Sequence, residues 1–253
     1  MSRVIGAAAL AAVLTATSAY AQTPAAPAAA STYNESFFLG VSAGGLMNTT
    51  LVTSQATATI YNQNAAVAER RDVSGGLLVD VTAGKPIRGR LAVGASVSLR
   101  SATSDSALAA SVPHPLFFDA PRTVSTTTPG MKSTQTWVGL LAMYTLPSSG
   151  KVTVRIFGGP AVAMVKHDTI GAFTVTEGTS IAQPTIAITK GSVSKSFIGA
   201  IGGFDLSFRV IPSIAIGAFV RYSGAQANVT GAESGTIGGL ESGGGVRFSF
   251  SKK

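Results

Sequence analysis

Hydrophobic residues alternate with small or polar ones along most of the chain, and this period of two is typical of β-strands. In the segment 91–101, the odd positions up to 99 carry Leu, Val, Ala, Val and Leu, whereas the even positions include Gly, two Ser and Arg. The same alternation predicts eight strands. They span Phe37–Met47, Val73–Gly84, Leu91–Ser101, Thr134–Leu146, Val152–Lys166, Ser196–Val210, Ile214–Tyr222 and Ile237–Phe250.

The connections between the predicted strands alternate between short and long. Short turns are expected at Lys85–Gly89, Pro147–Gly150 and Val210–Ser213. Long loops are expected at about 48–71, 104–131, 167–193 and 223–236. Every long loop then falls at one end, which is the layout of an antiparallel up-and-down transmembrane barrel. A soluble sandwich has no reason to arrange its loops in this way, so the predicted fold is an all-β, eight-stranded transmembrane β-barrel.

Charged residues decide which face of each strand points outward. A slip of one residue would exchange the two faces and turn six charged side chains toward lipid. They are Asp80, Arg100, Arg155, Asp205, Arg221 and Glu241. A cation near the bilayer midplane costs about 2–4 kcal/mol and an acid somewhat less, whereas a whole domain is stable by about 5–15 kcal/mol. The charges are therefore expected to point into the barrel and the aliphatic face to contact lipid.

The composition agrees with a membrane barrel. Hydrophobic residues make up 45% of the 253 residues and the mean hydropathy is +0.36, but only 12% are charged, against about 25% in soluble domains. A membrane helix needs about 20 consecutive apolar residues, and beyond the N-terminus the longest such run is Ile156–Val165. The alternative, a water-soluble barrel of lipocalin type, would expose a continuous aliphatic belt to water.

The N-terminus predicts export. Arg3 is followed by the apolar stretch Val4–Leu14 and by Ala19-Tyr20-Ala21, a small-x-small cleavage site. We therefore expect a signal peptide at residues 1–21, a flexible periplasmic segment at 22–35 and the barrel at 36–253. An uncleaved anchor is the alternative for the first segment. The chain has no cysteine, which excludes a disulfide framework and a lipid-modified N-terminal Cys.

The closing stretch Gly245-Val246-Arg247-Phe248-Ser249-Phe250 has a glycine, alternating hydrophobic residues and a final aromatic. It is similar to the signal that the barrel assembly machinery reads in the small outer-membrane barrels of the OmpA-type and OmpX/Ail-like family, although here Ser251-Lys252-Lys253 follows the aromatic. The resemblance covers about Phe37 to Phe250. It implies a Gram-negative outer-membrane location and the assembly machinery as a partner. The resemblance does not extend to a peptidoglycan-binding domain, so it does not imply cell-wall anchoring.

The lumen of an eight-stranded barrel is just wide enough to be filled by side chains. Strand direction predicts an upper group containing a Glu241–Arg221 pair and a lower group in which Asp205 faces Arg155. The upper group is Arg100, Arg221 and Glu241, and the lower group is Asp80, Arg155, Asp205, Arg209 and Arg247. Buried charges need partners or water, so these residues predict a plugged lumen. A narrow ion path is the alternative.

Basic residues cluster where the predicted strands meet the long loops, and the formal net charge of the chain is +8. They are Arg70, Arg71, Lys132, Lys166 and Lys195. Such a rim could pair with the phosphates of lipopolysaccharide, or it could be ordinary solvated charge. The loops also contain one strongly apolar stretch, Pro113–Phe118, which could contact a partner, the membrane surface or its own rim.

Catalytic chemistry is poorly represented in the chain. The two histidines, His114 and His167, fall in predicted loops, no strand carries the His-x-Ser of lipid A deacylase barrels, and no cluster predicts a metal, a cofactor or nucleic-acid binding. A loop-borne site at His167-Asp168 stays open. The favoured interpretation is a non-enzymatic surface barrel that supports envelope integrity or binds lipopolysaccharide or external partners through its loops. The alternatives are a narrow porin-like channel and a lipid A-modifying enzyme.

Overall fold

The computed structural model describes residues 35–47, 50–73, 75–147, 151–178, 184–227 and 235–251. The predicted signal peptide and, apart from Glu35, the predicted N-terminal segment lie outside the described residues. Ten strands are described. They are β1 (Glu35–Leu46), β2 (Thr50–Ile60), β3 (Gln63–Val73), β4 (Leu77–Arg88), β5 (Leu91–Val112), β6 (Arg122–Thr145), β7 (Val152–Thr176), β8 (Thr185–Ile211), β9 (Ile214–Ala227) and β10 (Gly235–Ser251).

Eight of these strands form a closed antiparallel ring in the order β1-β4-β5-β6-β7-β8-β9-β10, and β10 pairs again with β1. Each of the eight predicted strands corresponds to one member of this ring. Closure matters because lipid offers no partner for backbone N–H and C=O groups, so a sheet that spans a membrane can have no open edge. None of the described residues forms a helix that is long and apolar enough to cross a membrane.

The outer surface of the ring is an aliphatic belt. On β5 it runs from Leu91 to Leu99, close to the 9–11 residues or so that a tilted transmembrane strand needs. Val97 on this face is 45% exposed, whereas Ser96 and Ser98 on the other face are buried. The belt thus lies on the face that the sequence predicts, and the ring has the architecture of a transmembrane β-barrel.

The regions predicted as long loops are mostly strand, which corrects the sequence interpretation. The region 48–71 contains the β2–β3 hairpin, and the regions 104–131 and 167–193 continue β5, β6, β7 and β8 beyond the belt. In the fourth region, β9 ends at Ala227 and β10 begins at Gly235, while 228–234 lie outside the described residues. The physical reason is that Thr, Val, Ser and Ala can form strands whenever a neighbouring strand is there to pair with them.

These longer strands build an extension above the belt, which we define as β2, β3 and residues 101–112, 122–132, 167–176 and 185–193. In it β3 pairs with both β2 and β5, whereas the β6–β7 ladder ends at Ser133 and His167. The sheet β2-β3-β5-β6 and the ribbon β7-β8 enclose a separate apolar core. This core contains Ala65, Val67, Leu108, Ala110, Val112, Ile170 and Phe173.

The inner face of β5 therefore changes polarity along its length. In the barrel it carries Ser96, Ser98 and Arg100, and in the extension it carries Leu108 and Val112. The outer face changes in the opposite sense because lipid surrounds the barrel and water surrounds the extension. The outer face of this one continuous strand thus contacts lipid in the barrel and water in the extension.

We predict that Val97→Arg destabilises the barrel, because it places a cation on the belt near the middle of the bilayer. The free energy of unfolding in lipid should fall by about 2–4 kcal/mol. Thr103→Arg is the matched control, since Thr103 lies on the same face of β5 above the belt and is exposed. Urea titration of both variants in vesicles measures the difference, and equal losses would contradict the assignment of the belt.

Candidate functional site

Four charged side chains from four strands meet in the upper lumen, and we name them the upper cluster: Asp80, Arg100, Arg221 and Glu241. Arg221 donates from Nε to Glu241 Oε2 at 2.7 Å and from Nη1 to Asp80 Oδ1 at 2.5 Å. Arg100 contacts the other oxygen of Glu241 through Nη2. All four residues are buried. Two cations and two anions therefore neutralise one another in the middle of the barrel.

Hydroxyl groups complete the coordination of the two buried carboxylates. Ser98 and Thr82 donate to the oxygens of Asp80 at 2.7 and 2.8 Å, and Ser223 donates to Glu241 Oε1 at 2.6 Å. Removing a buried ion from water costs several kcal/mol, which is recovered only where hydrogen bonds satisfy the remaining lone pairs. The small residues of the inner face thus act as partners of the charges as well as filling space.

The opposite wall of the lumen is apolar. Trp137 and Leu141 from β6 and Ile201 from β8 are buried there. The two halves meet where the guanidinium carbon of Arg100 lies 5.2 Å from the ring centroid of Trp137, in the range of a cation–π contact. Side chains therefore occupy the barrel at this height from both walls.

A second group of charges, the lower cluster, lies at the end of the barrel that carries the short connections β4–β5 and β8–β9. Arg155 Nη2 donates to Glu35 Oε2 at 2.6 Å, and Arg247 Nη2 donates to Asp205 Oδ2 at 2.7 Å. Both guanidinium groups lie over the ring of Phe38, at 4.3 and 5.2 Å from its centroid. The buried Phe38 ring thus separates two ion pairs in a narrow space.

Two details of the predicted network need correction. Asp205 faces Arg155 in the β7–β8 register but pairs with Arg247, and Asp80 belongs to the upper cluster. The reason is the width of the lumen, since a long arginine side chain crosses it and reaches a strand that is not its neighbour. The sequence also missed Glu35, because a single charge before the first aliphatic alternation resembles the lead-in. Arg209 is half-buried at the lower end of β8.

A cavity of about 50 Å³ lies between the two clusters. Asp80 and Arg221 line its upper side, and Arg155, Asp205 and Arg247 line its lower side. Arg155 Nη1, Arg247 Nε and Asp205 Oδ1 are buried without a protein hydrogen-bond partner. A polar cavity of this size can hold water, which would satisfy such atoms.

The predicted basic rim divides into two sets. Arg70, Lys132 and Lys166 are exposed, as a contact with lipid headgroups requires, but Lys195 is half-buried and Arg71 is only 1% exposed. Arg71 therefore cannot belong to the rim, because its side chain points into the extension.

The buried Arg71 has partners inside the extension. Its Nη2 donates to the backbone oxygen of Asp168 at 3.2 Å, and its Nε lies 3.8 Å from the carboxylate of Glu69. The sequence did not single out Glu69, which also accepts hydrogen bonds from Ser54 and Ser106. These contacts place an ionic group beside the apolar core of the extension.

The two histidines lie in different surroundings. His167 is half-buried above the belt, where burial lowers the pKa of its imidazole; the nearby cations Arg71 and Lys195 lower it further, against the opposing effect of Glu69. His114 Nδ1 accepts N–H groups of the following turn. Within the described residues no three His, Cys, Asp or Glu side chains form a group that could hold a metal ion.

The far end of the extension carries an apolar tip formed by Leu116, Phe117 and Phe118, which are 64–74% exposed. His114 Nδ1 accepts the N–H groups of Leu116 and Phe117 at 3.1 and 3.2 Å, and its ring lies 4.8 Å from that of Phe117. The N–H of Asp119 donates to Gln63 Oε1 at 3.3 Å and ties the turn to the β2–β3 hairpin. The tip is therefore held in place by polar contacts that leave its apolar side chains uncovered.

A clasp of three residues joins the distal ends of the extension. Arg122 donates to both oxygens of Glu177 at 2.7 Å and to the backbone oxygen of Pro113 at 2.8 Å, and the Tyr61 hydroxyl donates to Glu177 at 2.9 Å. The hydrogen bonds from Arg122 lower the pKa of Glu177 to about 2, and the hydrogen bond to Glu177 raises the pKa of Tyr61. The clasp connects the β2–β3 turn, the β5–β6 connection and the end of β7.

Solved outer-membrane barrels have similar structures. Neisserial surface protein A is 14% identical, with a TM-score of 0.45 over 85% of this chain and 97% of that protein. The N-terminal β-barrel domain of Pseudomonas aeruginosa OprF is 11% identical, with a TM-score of 0.40 over 85% and 98%. Ail, the attachment invasion locus protein of Yersinia pestis, is 12% identical, with a TM-score of 0.35 over 85% and 99%.

No protein-family model matches the chain, and no curated protein matches it. The fold rests on the strand ladders of the chain itself, which close an eight-stranded ring of the kind found in small outer-membrane β-barrels.

Proposed function

We propose that the protein is a non-enzymatic surface protein of the outer membrane, with a plugged barrel that anchors a recognition element. The observation that carries the proposal is the apolar tip, which the extension holds away from the belt and leaves uncovered. An exposed patch of large apolar side chains on a soluble surface marks an interaction site. We infer that the tip binds an external partner, through which the barrel can also support the envelope.

The extension is suited to this role because it fixes the tip. A binding element that is already ordered loses less conformational entropy when its partner arrives. The separate apolar core, the clasp and the hydrogen bond between Asp119 and Gln63 all restrict the β5–β6 connection. The distance from the belt also favours an external partner over the protein's own membrane, since β5 continues from Leu99 to Val112 before the tip begins.

The clasp should respond to acid in a defined range. Because the pKa of Glu177 in the folded protein is about 2, below the ordinary value of 4.5 for a glutamate, the clasp contributes fully above pH 4.5 and loses its contribution as the pH falls toward 2. Since the chain has no cysteine, spin labels at Asn62→Cys and Gly178→Cys can report the distance between its two sides. We expect a narrow distance distribution at pH 5 that broadens toward pH 2.

Two variants control the acid experiment. Arg122→Gln should broaden the distribution already at pH 7, because it removes the bidentate ion pair. Glu177→Gln should abolish the dependence on pH. A wild-type distribution that broadens between pH 7 and 5 would contradict the assignment.

The proposed binding role of the tip is tested by replacing its apolar side chains. The triple variant Leu116→Ser, Phe117→Ser and Phe118→Ser should lose binding severalfold or more, because few residues carry most of the energy of an interface. The protein in nanodiscs is presented both to a phage-displayed peptide library and to phosphatidylcholine vesicles. We expect enrichment of peptides by the wild type that the variant does not bind.

A control variant elsewhere on the extension distinguishes specific binding by the tip from non-specific adsorption to the protein surface. Ala107→Ser and Ala109→Ser lie on the exposed outer face of β5 and should leave binding unchanged. Binding of vesicles without any selected peptide would identify a lipid surface as the partner. If wild type and triple variant enrich the same peptides and bind vesicles equally, the recognition role is wrong.

The upper cluster supports the plugged lumen, because its charges and the apolar wall with Trp137 meet across the barrel. We expect no steady conductance in planar bilayers. A variant in which Ser replaces all four residues of the upper cluster, Asp80, Arg100, Arg221 and Glu241, loses the plug without keeping an unpaired charge. We expect this variant to conduct ions. Steady large conductance of the wild type would instead indicate a channel.

A second role is favoured by the exposed set of the basic rim. Arg70, Lys132 and Lys166 can face phosphorylated headgroups of lipopolysaccharide, with each cation near the surface contributing about 1 kcal/mol. Their joint replacement by Gln should lower co-purified lipopolysaccharide severalfold. The control is the triple replacement of Lys85, Arg88 and Lys151 by Gln at the opposite end of the barrel, and an equal loss there would contradict a specific contact.

A further inference from the structure

Positive charge is distributed unequally along the barrel. Among the described residues the upper cluster is neutral, and the extension together with the upper rim carries seven Lys or Arg against six Asp or Glu. The end with the short connections carries seven cations against two carboxylates, so most of the excess positive charge lies there. The cations are Lys85, Arg88, Arg90, Lys151, Arg155, Arg209 and Arg247, and the carboxylates are Glu35 and Asp205.

The two carboxylates are already used inside the lumen, where Glu35 pairs with Arg155 and Asp205 pairs with Arg247. Four of the other cations are exposed, and none of them forms an ion pair with a described carboxylate. We name these four residues the basic arc: Lys85, Arg88, Arg90 and Lys151. They lie on β4, in the β4–β5 turn and just before β7, along four neighbouring strands of the ring. The arc is therefore a continuous positive surface without internal compensation.

The register of β4 places part of the arc on the lipid-facing side. Lys85 lies opposite Val93 and Arg88 lies opposite Leu91. Directly opposed residues of an antiparallel pair share a face, and Val93 and Leu91 are exposed residues of the belt. Lys85 and Arg88 thus leave the wall at the lower edge of the belt. A long cationic side chain in this position keeps its methylene groups in lipid and extends its charge to the headgroups.

The neighbours of the arc are those of a membrane–water interface. Ile87, between the two cations of β4, is 66% exposed, and Val210 and Ile211 are exposed at the end of β8. Tyr144 is exposed on β6 opposite Leu91, and aromatic side chains are enriched at headgroup level. Apolar side chains at the short connections are covered only if this end lies within the headgroup layer. The arc therefore meets lipid headgroups before it meets a soluble partner.

We propose that the basic arc binds anionic phospholipid through the phosphate of its headgroup, so that the barrel collects this lipid beside β4–β7. Short turns of outer-membrane barrels face the periplasm, so the lipid belongs to the inner leaflet. Lysine and arginine form charge-assisted hydrogen bonds with phosphate, and clustered cations at a membrane surface attract anionic lipid. This surface is separate from the apolar tip and from the exposed set of the basic rim, which lie at the other end of the barrel.

A single fluorophore can report on the lipid beside the arc, because the chain has no cysteine. A dye at Tyr144→Cys lies next to the arc, and a dye at Leu99→Cys lies at the upper edge of the belt. The labelled protein is reconstituted in phosphatidylcholine vesicles that contain a small fraction of nitroxide-labelled phosphatidylglycerol or nitroxide-labelled phosphatidylcholine. We expect phosphatidylglycerol to quench the dye at Tyr144→Cys severalfold more strongly than phosphatidylcholine does.

Charge variants locate the effect. Replacement of all four residues of the basic arc by Gln should abolish the preference for phosphatidylglycerol at Tyr144→Cys and leave quenching at Leu99→Cys unchanged. Replacement of the exposed set of the basic rim by Gln is the matched control, and it should keep the preference. Salt at 1 M, where the screening length is about 3 Å, should weaken the preference. Lys85→Gln with Arg88→Gln is the smaller variant that serves if the quadruple variant does not fold.

Equal quenching by the two lipids at Tyr144→Cys would overturn the proposal, as would a preference that the variants of the arc retain. The other anionic partner at this end is the cell wall. If the two lipids quench equally and purified peptidoglycan sediments the wild type but not the quadruple variant, the arc binds cell wall and the lipid assignment is wrong.

Discussion

Hydrocarbon cannot solvate a charge or a backbone hydrogen-bonding group, and the rest of the molecule follows from that constraint. The strands must close into a ring, since an open edge would leave N–H and C=O groups without partners. The ionised side chains must then turn inward, where only one another, serine hydroxyls and a small cavity are available. The exact pairing of Asp80, Arg221 and Glu241 is therefore a condition of the fold as much as a feature of the lumen.

Above the belt water surrounds the same strands, so apolar side chains point inward there and polar ones point outward. Leu108 and Val112 continue the inner face that Ser98 and Arg100 occupy below them. The extension is thus built like a soluble two-layer structure on the rim of a membrane barrel. This reversal lets the protein carry a rigid apolar tip far from lipid without a second domain.

The barrel could be predicted from the sequence because a period of two, combined with six charges on one face, allows a single register. The predicted strands agree with the ring in number and in the direction of their faces. The extension could not be predicted, because its outer positions carry Thr, Ser and Ala, whose pairing depends on strands distant in the sequence. Arg71 illustrates the difficulty, since only the β3–β5 pairing turns it inward.

In the lumen, the sequence predicted the pair of Arg221 and Glu241 on neighbouring strands but not the partner of Asp205. Strand neighbours can be derived from chain order, but arginine side chains reach across the barrel, as Arg247 does to Asp205. The clasp joins residues 61, 122 and 177, whose proximity depends on the extension that the sequence did not reveal.

The uninterrupted run of β5 from Leu91 to Val112 constrains how such a chain can change its length in evolution. Deleting one residue between Arg100 and Leu108 would turn the distal part of the strand inside out and put Leu108 in water, whereas deleting two would only shorten it. Insertions and deletions fixed in this part of β5 should therefore involve an even number of residues. An odd change could be absorbed on the neighbouring strand β6, because two residues there, Pro129 and Gly130, lie opposite the single residue Asp105 of β5 and already form a bulge.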